Sequence, residues 1–178
     1  MHEKLPKYQQ RQIKSFVDAA FEFNKTHNIF SRKTKEEVYE KDVLECLSLC
    51  KNIQENKTVL DIGSGGGFPG VILSIMKPKN TISLVESSNK KCYFLRKIKH
   101  HLSLENINVI NQKLVKKNNL GLFDIITARA FASTHKILEL TQNNTHKTTK
   151  YLLMKGKETT ANKELKCIDN KRYKYEII

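Results

Sequence analysis

The chain has 178 residues, 39% hydrophobic and 28% charged, which is enough for one packed domain of ordinary globular composition. No apolar run approaches the ~20 residues that a membrane-spanning helix needs, which argues against a membrane protein. The formal charge of +14 indicates a polyanionic partner, although only five of the 32 basic residues are arginine and a general excess of lysine weakens that signal. The N-terminus lacks the apolar core of a secretory signal, which predicts a cytoplasmic location.

Apolar side chains recur at helical spacing over residues 7–24 and again over 35–54. Thr34, with Glu37 three residues later, has the pattern of a capping box at the start of the second helix. We therefore predict an N-terminal helical extension over residues 1–56.

From Thr58 onward, short β-branched runs alternate with helical stretches. The predicted strands are TVLDIG, TISLVE, INVIN, FDIITAR and TKYLLMKG, and the helices between them are PGVILSIMK, NKKCYFLRKIKHHL, KLVKKNN and STHKILELTQ. This alternation predicts an α/β, Rossmann-like core over residues 57–178, with a mainly parallel sheet covered on both faces and ligands at the carboxyl ends of its strands. RYKYEII is a candidate sixth strand. No linker or repeat divides residues 1–178, so a single domain is expected.

Four cysteines, at positions 46, 50, 92 and 167, include a C-x3-C spacing but no C-x2-C and no matching histidine pair. The spacing predicts reduced thiols and no metal site.

A glycine-rich loop, DIGSGGGFPG, joins the first predicted strand to the next helix. Gly63 and Gly65 lack a β-carbon, so the backbone can turn sharply there and a ligand can lie against bare amides. The loop also satisfies the G-x-G-x-x-G pattern of dinucleotide-binding folds, and a purely structural turn is a further alternative.

Two carboxylates narrow the choice of ligand. Asp61 ends the first strand, where it would repel a pyrophosphate but suits the cationic amino acid end of S-adenosylmethionine. Glu86 ends the second strand, where it can accept both ribose hydroxyls of an adenosine, as acids do for nicotinamide cofactors too. No G-K-[ST] follows the glycines, which argues against a P-loop triphosphate site. S-adenosylmethionine is the predicted cofactor, with NAD as an alternative.

The segments DIGSGGGFPG, ESSNKKCYFLRKIKHHLSLENI, FDIITARAFAS and YLLMKGK, in this order and spacing, resemble small-subunit ribosomal RNA methyltransferase G, also called glucose-inhibited division protein B. The resemblance covers roughly residues 20–157. It implies a class I S-adenosylmethionine-dependent methyltransferase fold that methylates N7 of a guanosine in 16S ribosomal RNA. The implied partner is that RNA or the small ribosomal subunit, and a monomer is expected.

The resemblance also implies the cofactor contacts, which fall on Gly63, Phe68, Leu114, Val115 and Arg129. Guanine N7 carries a lone pair and no proton, so attack on a methyl group needs positioning more than a general base. We therefore assign no catalytic acid or base and give Arg129, just past the strand FDIITA, a positioning role.

Basic residues provide candidate RNA contacts. Arg32 and Lys33 lie in the turn between the two N-terminal helices, and Lys155 closes the fifth strand. A further basic set lies on one predicted helix, where a solvated face is the alternative: Lys90, Lys91, Arg96, Lys97, Lys99, His100 and His101.

The chain departs from the family pattern at three places. YEKDVLECL replaces the usual R-H-x-x-D-S-L stretch, Val115 replaces a commonly acidic residue, and relatives continue past Ile178 into a final strand. These departures keep open a methyltransferase for another RNA or a small molecule, and a cofactor-binding module without turnover. An NAD-dependent oxidoreductase is the third alternative.

Overall fold

A computed structural model describes residues 5–156, 158–166 and 168. Its elements in chain order are α1 (Lys7–His27), α2 (Lys35–Val38), a π-helical turn (Tyr39–Val43), α3 (Leu44–Cys50), β1 (Thr58–Ile62), α4 (Gly70–Met76), β2 (Thr81–Glu86), α5 (Asn89–His101), β3 (Ile107–Asn111), β4 (Phe123–Arg129), α6 (Thr134–Thr141), a 3-10 turn (Gln142–Asn144), β5 (Thr145–Met154) and α7 (Glu158–Leu165). None of the described helices is long and apolar enough to cross a membrane.

The five strands form one parallel sheet in the order β3-β2-β1-β4-β5. In the centre of the sheet, Leu60 pairs with Ser83 on one side and with Ile126 on the other. The sequence prediction of five strands in a parallel sheet is confirmed, except that β5 begins at Thr145 rather than at Thr149. The candidate sixth strand, RYKYEII, lies outside the described residues.

One face of the sheet packs against α1 to α5. Strand side chains alternate between the two faces, so Val59 and Leu84 contribute to this core while Leu60 and Val85 contribute to the other. The helices supply large buried side chains to the same cluster, among them Ile13, Phe16, Val38, Cys46, Ile72, Phe94 and Leu95. This is the thicker of the two layers, and it carries the N-terminal extension.

The opposite face is covered by α6 and by the connection between β3 and β4. The prediction of a helix over KLVKKNN was wrong, because residues 113–119 form no helix. Only Leu114 turns into the core there, which is too little for an apolar stripe. Asn118 instead ties the segment down, since its side-chain amide donates to the carbonyls of Val115 and Leu140 and to Asn144 Oδ1.

The second N-terminal helix is shorter and less regular than the sequence predicts. It ends at Cys50 instead of residue 54, and a π-helical turn interrupts it at Tyr39–Val43. The Thr34 hydroxyl accepts from the Glu37 N–H at 3.1 Å, which confirms the predicted N-cap, whereas the Glu37 carboxylate accepts from the Lys33 N–H. The π turn brings Asp42 and Val43 into the buried interior together.

Candidate functional site

The glycine loop lies at the carboxyl end of β1 and is fastened to the neighbouring strand. The N–H groups of Gly63 and Ser64 both donate to the carbonyl of Val85, at 2.8 and 3.2 Å. The Gly67 N–H then donates to the Ser64 carbonyl, which closes the turn that leads into α4. The loop therefore lies at the junction of β1 and β2, at the edge where ligands of open parallel sheets bind.

Gly63 adopts a left-handed conformation, with φ +66°, and the ring of Phe131 covers it. A β-carbon at Gly63 would collide with that ring. Phe131 itself is 38% exposed, and it follows Ala130, whose φ is +50°. An aromatic side chain thus lies on the glycine loop in a position that the sequence analysis did not assign.

The Glu86 carboxylate holds the glycine loop in place. One of its oxygens accepts from the Gly65 N–H at 3.0 Å, and the other accepts from the Ser88 N–H at 2.8 Å. Glu86 is 8% exposed. Because an ionised carboxylate offers about four lone-pair sites, it keeps capacity for a further donor.

Asp61 is fully buried beneath the start of α4. A β-carbon at Gly70 would overlap Leu84 and lie 2.6 Å from Asp61 Oδ2, so only glycine allows this approach. Among the described residues, no donor meets hydrogen-bond geometry at either carboxyl oxygen, since the Ser64 hydroxyl donates to the backbone carbonyl of Asp61. Burial raises the pKa of Asp61 to about 7, against smaller opposing effects of the Ser64 hydroxyl, the Gly70 N–H and Arg129.

Arg129 ends β4 beside this loop and has partners on two sides. Its guanidinium lies over the Phe68 ring, 5.1 Å from the ring centroid, and donates to Asp42 of the π turn. Asp42 also accepts two hydrogen bonds from Arg32, at 2.9 and 3.0 Å. Phe68 packs in turn on Phe16 of α1, with ring centroids 4.9 Å apart.

The remaining predicted cofactor contacts lie at the end of β3. Leu114 is 8% exposed and belongs to the core of the second face, whereas Val115 is 46% exposed. Strands β1, β2, β3 and β4 end at the same edge, so the structure gathers the predicted cofactor residues along one side of the sheet.

The predicted RNA contacts fall into two groups. Lys33 is exposed beside the site, and the same connection places Phe30 against Gly66 of the loop. Arg32 is committed to Asp42. Lys155 donates to the Ala132 carbonyl and pairs with Glu164, each at 2.8 Å, so it fastens the segment after β4 to α7.

The basic residues of α5 do lie on one helix, but at different distances from the site. Because α5 starts directly after β2, Lys90 and Lys91 are close to the carboxyl edge. Lys99 and His101 lie about 15 Å farther along the helix axis. His101 is within 2.9 Å of the Ser15 hydroxyl of α1.

Three of the four cysteines lie within the part of the chain that the structure describes. Cys46, Cys50 and Cys92 are free and buried, and burial raises the pKa of each thiol. Among the described residues, no three His, Cys, Asp or Glu side chains form a group suited to a metal ion. Cys167 lies outside the described residues.

These residues fit S-adenosylmethionine by their chemistry. The cofactor carries an ammonium and a sulfonium charge, and two carboxyl groups lie at the loop, one of them without a donor among the described residues. A pyrophosphate would place negative charge beside Asp61 and Glu86 instead. The edge of Leu114 and Val115 offers apolar surface of the kind that an adenine ring packs on.

The strand order and the loop define a class I S-adenosylmethionine-dependent methyltransferase. The fold is similar to that of a SAM-dependent O-methyltransferase from Thermotoga maritima, with a TM-score of 0.60 at 10% identity over 85% of this chain and 54% of that one. The family model "GidB: rRNA small subunit methyltransferase G" matches residues 9–176. The chain belongs to this family, whose members transfer a methyl group from S-adenosylmethionine to N7 of a guanosine in 16S ribosomal RNA.

Two relatives named ribosomal RNA small subunit methyltransferase G show how much of the family's length is present. The protein of Ruthia magnifica is 35% identical over 156 residues, which are 88% of this chain and 76% of the relative. That of Francisella tularensis subsp. novicida is 39% identical over 136 residues, 76% of this chain and 65% of the relative. The chain thus spans about two thirds to three quarters of these relatives.

Proposed function

We propose that this chain itself methylates N7 of a guanosine in 16S ribosomal RNA, with the glycine loop and Arg129 as the centre of its site. The observation that carries the proposal is the meeting of four elements at one edge. The loop after β1, Glu86 of β2, the end of β3 and Arg129 of β4 all lie where the carboxyl ends of the strands meet.

Each side of the site would hold a different part of the cofactor. Gly63 and Gly65 would present backbone next to it, and Glu86 would accept from its ribose. Asp61 would lie below its cationic end, and the positive charge of the bound cofactor would favour the ionised form of this buried carboxyl group. Leu114 and Val115 would flank the adenine, and Phe68 of the glycine loop, beside Arg129, would lie along the cofactor. When bound, S-adenosylmethionine supplies an electrophilic methyl group on a positively charged sulfur.

The protein's own contribution is orientation. The N7 lone pair of guanine needs no deprotonation, so a base is not required and the site gains most from holding the two reactants in line. Arg129 is suited to this task because Phe68 and Asp42 anchor its guanidinium. Its side chain remains 19% exposed at the carboxyl edge of the sheet, where the reactants would meet.

The RNA would approach over the connection between α1 and α2 and over the start of α5. Lys33, Lys90 and Lys91 are close to the site, whereas the ammonium group of Lys155, just after β5, is engaged by Glu164 and the Ala132 carbonyl. Lysines on such a surface bind phosphates with a strong dependence on salt. Since the proposed substrate is ribosomal RNA, we propose a cytoplasmic location, and the proposal includes a monomeric state.

The test is methyl transfer from labelled S-adenosylmethionine to ribosomal RNA from cells lacking the modification, supplied as naked 16S RNA and as small subunits. The proposal expects one labelled guanosine, alkali-sensitive as N7-methylguanosine is, and a preference for one of the two substrates. Tight donor binding without transfer to either would support a module without turnover. Binding of NAD in place of the donor would contradict the proposal altogether.

An Arg129→Ala variant locates the site. Transfer is expected to fall about tenfold or more, because the variant loses the anchored hydrogen-bond donor that would hold the reactants in line. Lys79→Ala is the matched control, since Lys79 is an exposed cation paired with Glu55 at the amino end of β2. Equal activity of the two variants would remove Arg129 from the site.

A further inference from the structure

A single buried carboxylate joins two arginines of the site. Asp42 is 2% exposed by its side chain, and it accepts a bidentate pair from Arg32 and a further hydrogen bond from Arg129. The two arginines come from different parts of the chain, one from the connection after α1 and the other from the end of β4. Asp42 therefore links the N-terminal extension directly to the reaction edge.

Asp42 lies inside the π-helical turn. Asp42 and its neighbour Val43 are both buried, Val43 in the apolar core and Asp42 against the two guanidinium groups. Such turns inside helices are frequent at functional positions.

Two contacts fix the Arg129 guanidinium from different sides. Phe68, which belongs to the glycine loop, lies beneath it, and Asp42 holds it through a charged hydrogen bond. A cation over an aromatic face retains freedom to slide, whereas a hydrogen bond to a carboxylate sets direction. Asp42 thus supplies the directional part of the anchor.

A second carboxyl group lies near the same arginine. Asp61 is deeper in the site, and Arg129 is among the groups that lower its pKa against the larger effect of burial. It is Asp42, and not Asp61, that accepts a hydrogen bond from Arg129. Asp42 is therefore the carboxylate that sets where the guanidinium lies.

Arg32 has a supporting part in this arrangement. Two of its guanidinium nitrogens are committed to Asp42, and its side chain is 32% exposed. Its charge and its two hydrogen bonds help to offset the cost of burying the Asp42 carboxylate. Its main effect on the reaction would then pass through Asp42 rather than through RNA.

We propose that Asp42 is a positioning residue that holds Arg129 at the reaction edge, and that Arg32 in turn holds Asp42. The inference rests on the proposed role of Arg129 in methyl transfer. It assigns a function to the N-terminal extension that is separate from RNA binding, because the extension completes the site through one carboxylate.

A double-mutant cycle on the full chain tests the proposal, with transfer rate and donor affinity as the two measurements. The variants are Asp42→Asn, Arg129→Ala and the pair together. Asp42→Asn is expected to lower the same parameter as Arg129→Ala by about fivefold or more, and the pair is expected to match Arg129→Ala within about twofold. A pair whose losses multiply would overturn the proposal.

Two further variants separate positioning from folding. Asp42→Glu keeps a carboxylate for both guanidiniums and is expected to recover part of the lost rate, while Glu40→Gln, an exposed residue of the same π turn, is expected to change nothing. If Asp42→Asn lowers stability, the transfer rate of Asp42→Glu can still be compared with that of the wild type under conditions in which the same fraction of each protein is folded. No recovery by Asp42→Glu, together with losses that multiply, would assign Asp42 a purely structural role.

Arg32→Ala distinguishes the part of the second arginine. The proposal expects Arg32→Ala to lower the transfer rate at unchanged KM for RNA, with no further loss when it is combined with Asp42→Asn. A raised KM alone would identify Arg32 as an RNA ligand and overturn its supporting part. An active wild type with an unaffected Arg129→Ala would refute the inference and leave the proposed function standing. A wild type that binds donor without transfer would refute the function, and the cycle would then be read on donor affinity.

Discussion

Replacing Asp61 by asparagine is expected to remove a pH dependence from the stability of the protein. The carboxyl group is fully buried, no described donor meets hydrogen-bond geometry at it, and its pKa is raised from 3.8 to about 7. The folded state therefore holds a proton that the unfolded chain releases. Such a group favours folding most at low pH, and the benefit is lost as the pH rises toward the folded-state pKa.

The size of the effect follows from the two pKa values. At pH 5 the folded carboxyl group is about 99% protonated and the unfolded one about 6%, whereas at pH 8 both are largely ionised. The linkage relation then gives a loss of about 2.5 kcal/mol in the free energy of unfolding between pH 5 and pH 8. The asparagine variant lacks this term, so the wild-type stability should fall relative to the variant by that amount.

The measurement is urea unfolding of both proteins at pH 5, 6, 7 and 8 and constant ionic strength. Glu55→Gln serves as the control, because its ion pair with Lys79 lowers the pKa of Glu55, so it titrates mainly below pH 5, and the charged groups that act on it are lysines. The difference between wild type and this control should stay constant over the range. A constant difference for Asp61→Asn as well would refute the reasoning and show that the carboxyl group has a partner in solution.

Three further changes test packing around the site. Gly70→Ala forces a β-carbon into Leu84, so thermal unfolding should show a free energy of unfolding lower by about 1–3 kcal/mol. Gly156→Ala is the control, and it should be close to neutral because Gly156 has open space around it. Glu164→Gln weakens the tie to Lys155 and should cost about 1–2 kcal/mol at pH 7 and less at pH 3.5, because the pKa of Glu164 is lowered and its contribution disappears in acid. Asn118→Ala should cost about 1–3 kcal/mol in urea unfolding and raise amide exchange around Leu120.

Most of the sheet could be predicted because the strands carry strong local signals. β1 to β4 are runs of β-branched and apolar residues that end in a glycine or a polar residue, and the order of strands and helices requires parallel connections. The cofactor loop was equally visible, since glycines after a strand serve a backbone function. In both cases the information lies within about ten consecutive residues.

The features that were missed depend on contacts between distant segments. From the sequence, Asp42 stands out only as part of the stretch that departs from the family pattern near the site. Its approach to Arg129, 87 positions away, is visible only in the structure. Phe131 was part of a recognised motif, but its packing on Gly63 depends on the left-handed turn at Ala130. The helix wrongly predicted over residues 113–119 shows the same limit, because Asn118 fixes that segment through partners in and after α6.

The absence of a helix over residues 113–119 also bears on how the site opens. The segment is held by asparagine hydrogen bonds and one buried leucine, so its local unfolding free energy should be far below that of the strands. The residues expected to flank adenine are thus on a segment that should open more easily than the strands, whereas Arg129 and the glycine loop are fastened to the strands. We expect ligand entry to proceed by local opening on that side. Its signature would be amide exchange at Leu114 and Val115 that is fast in the free protein and slowed by bound ligand.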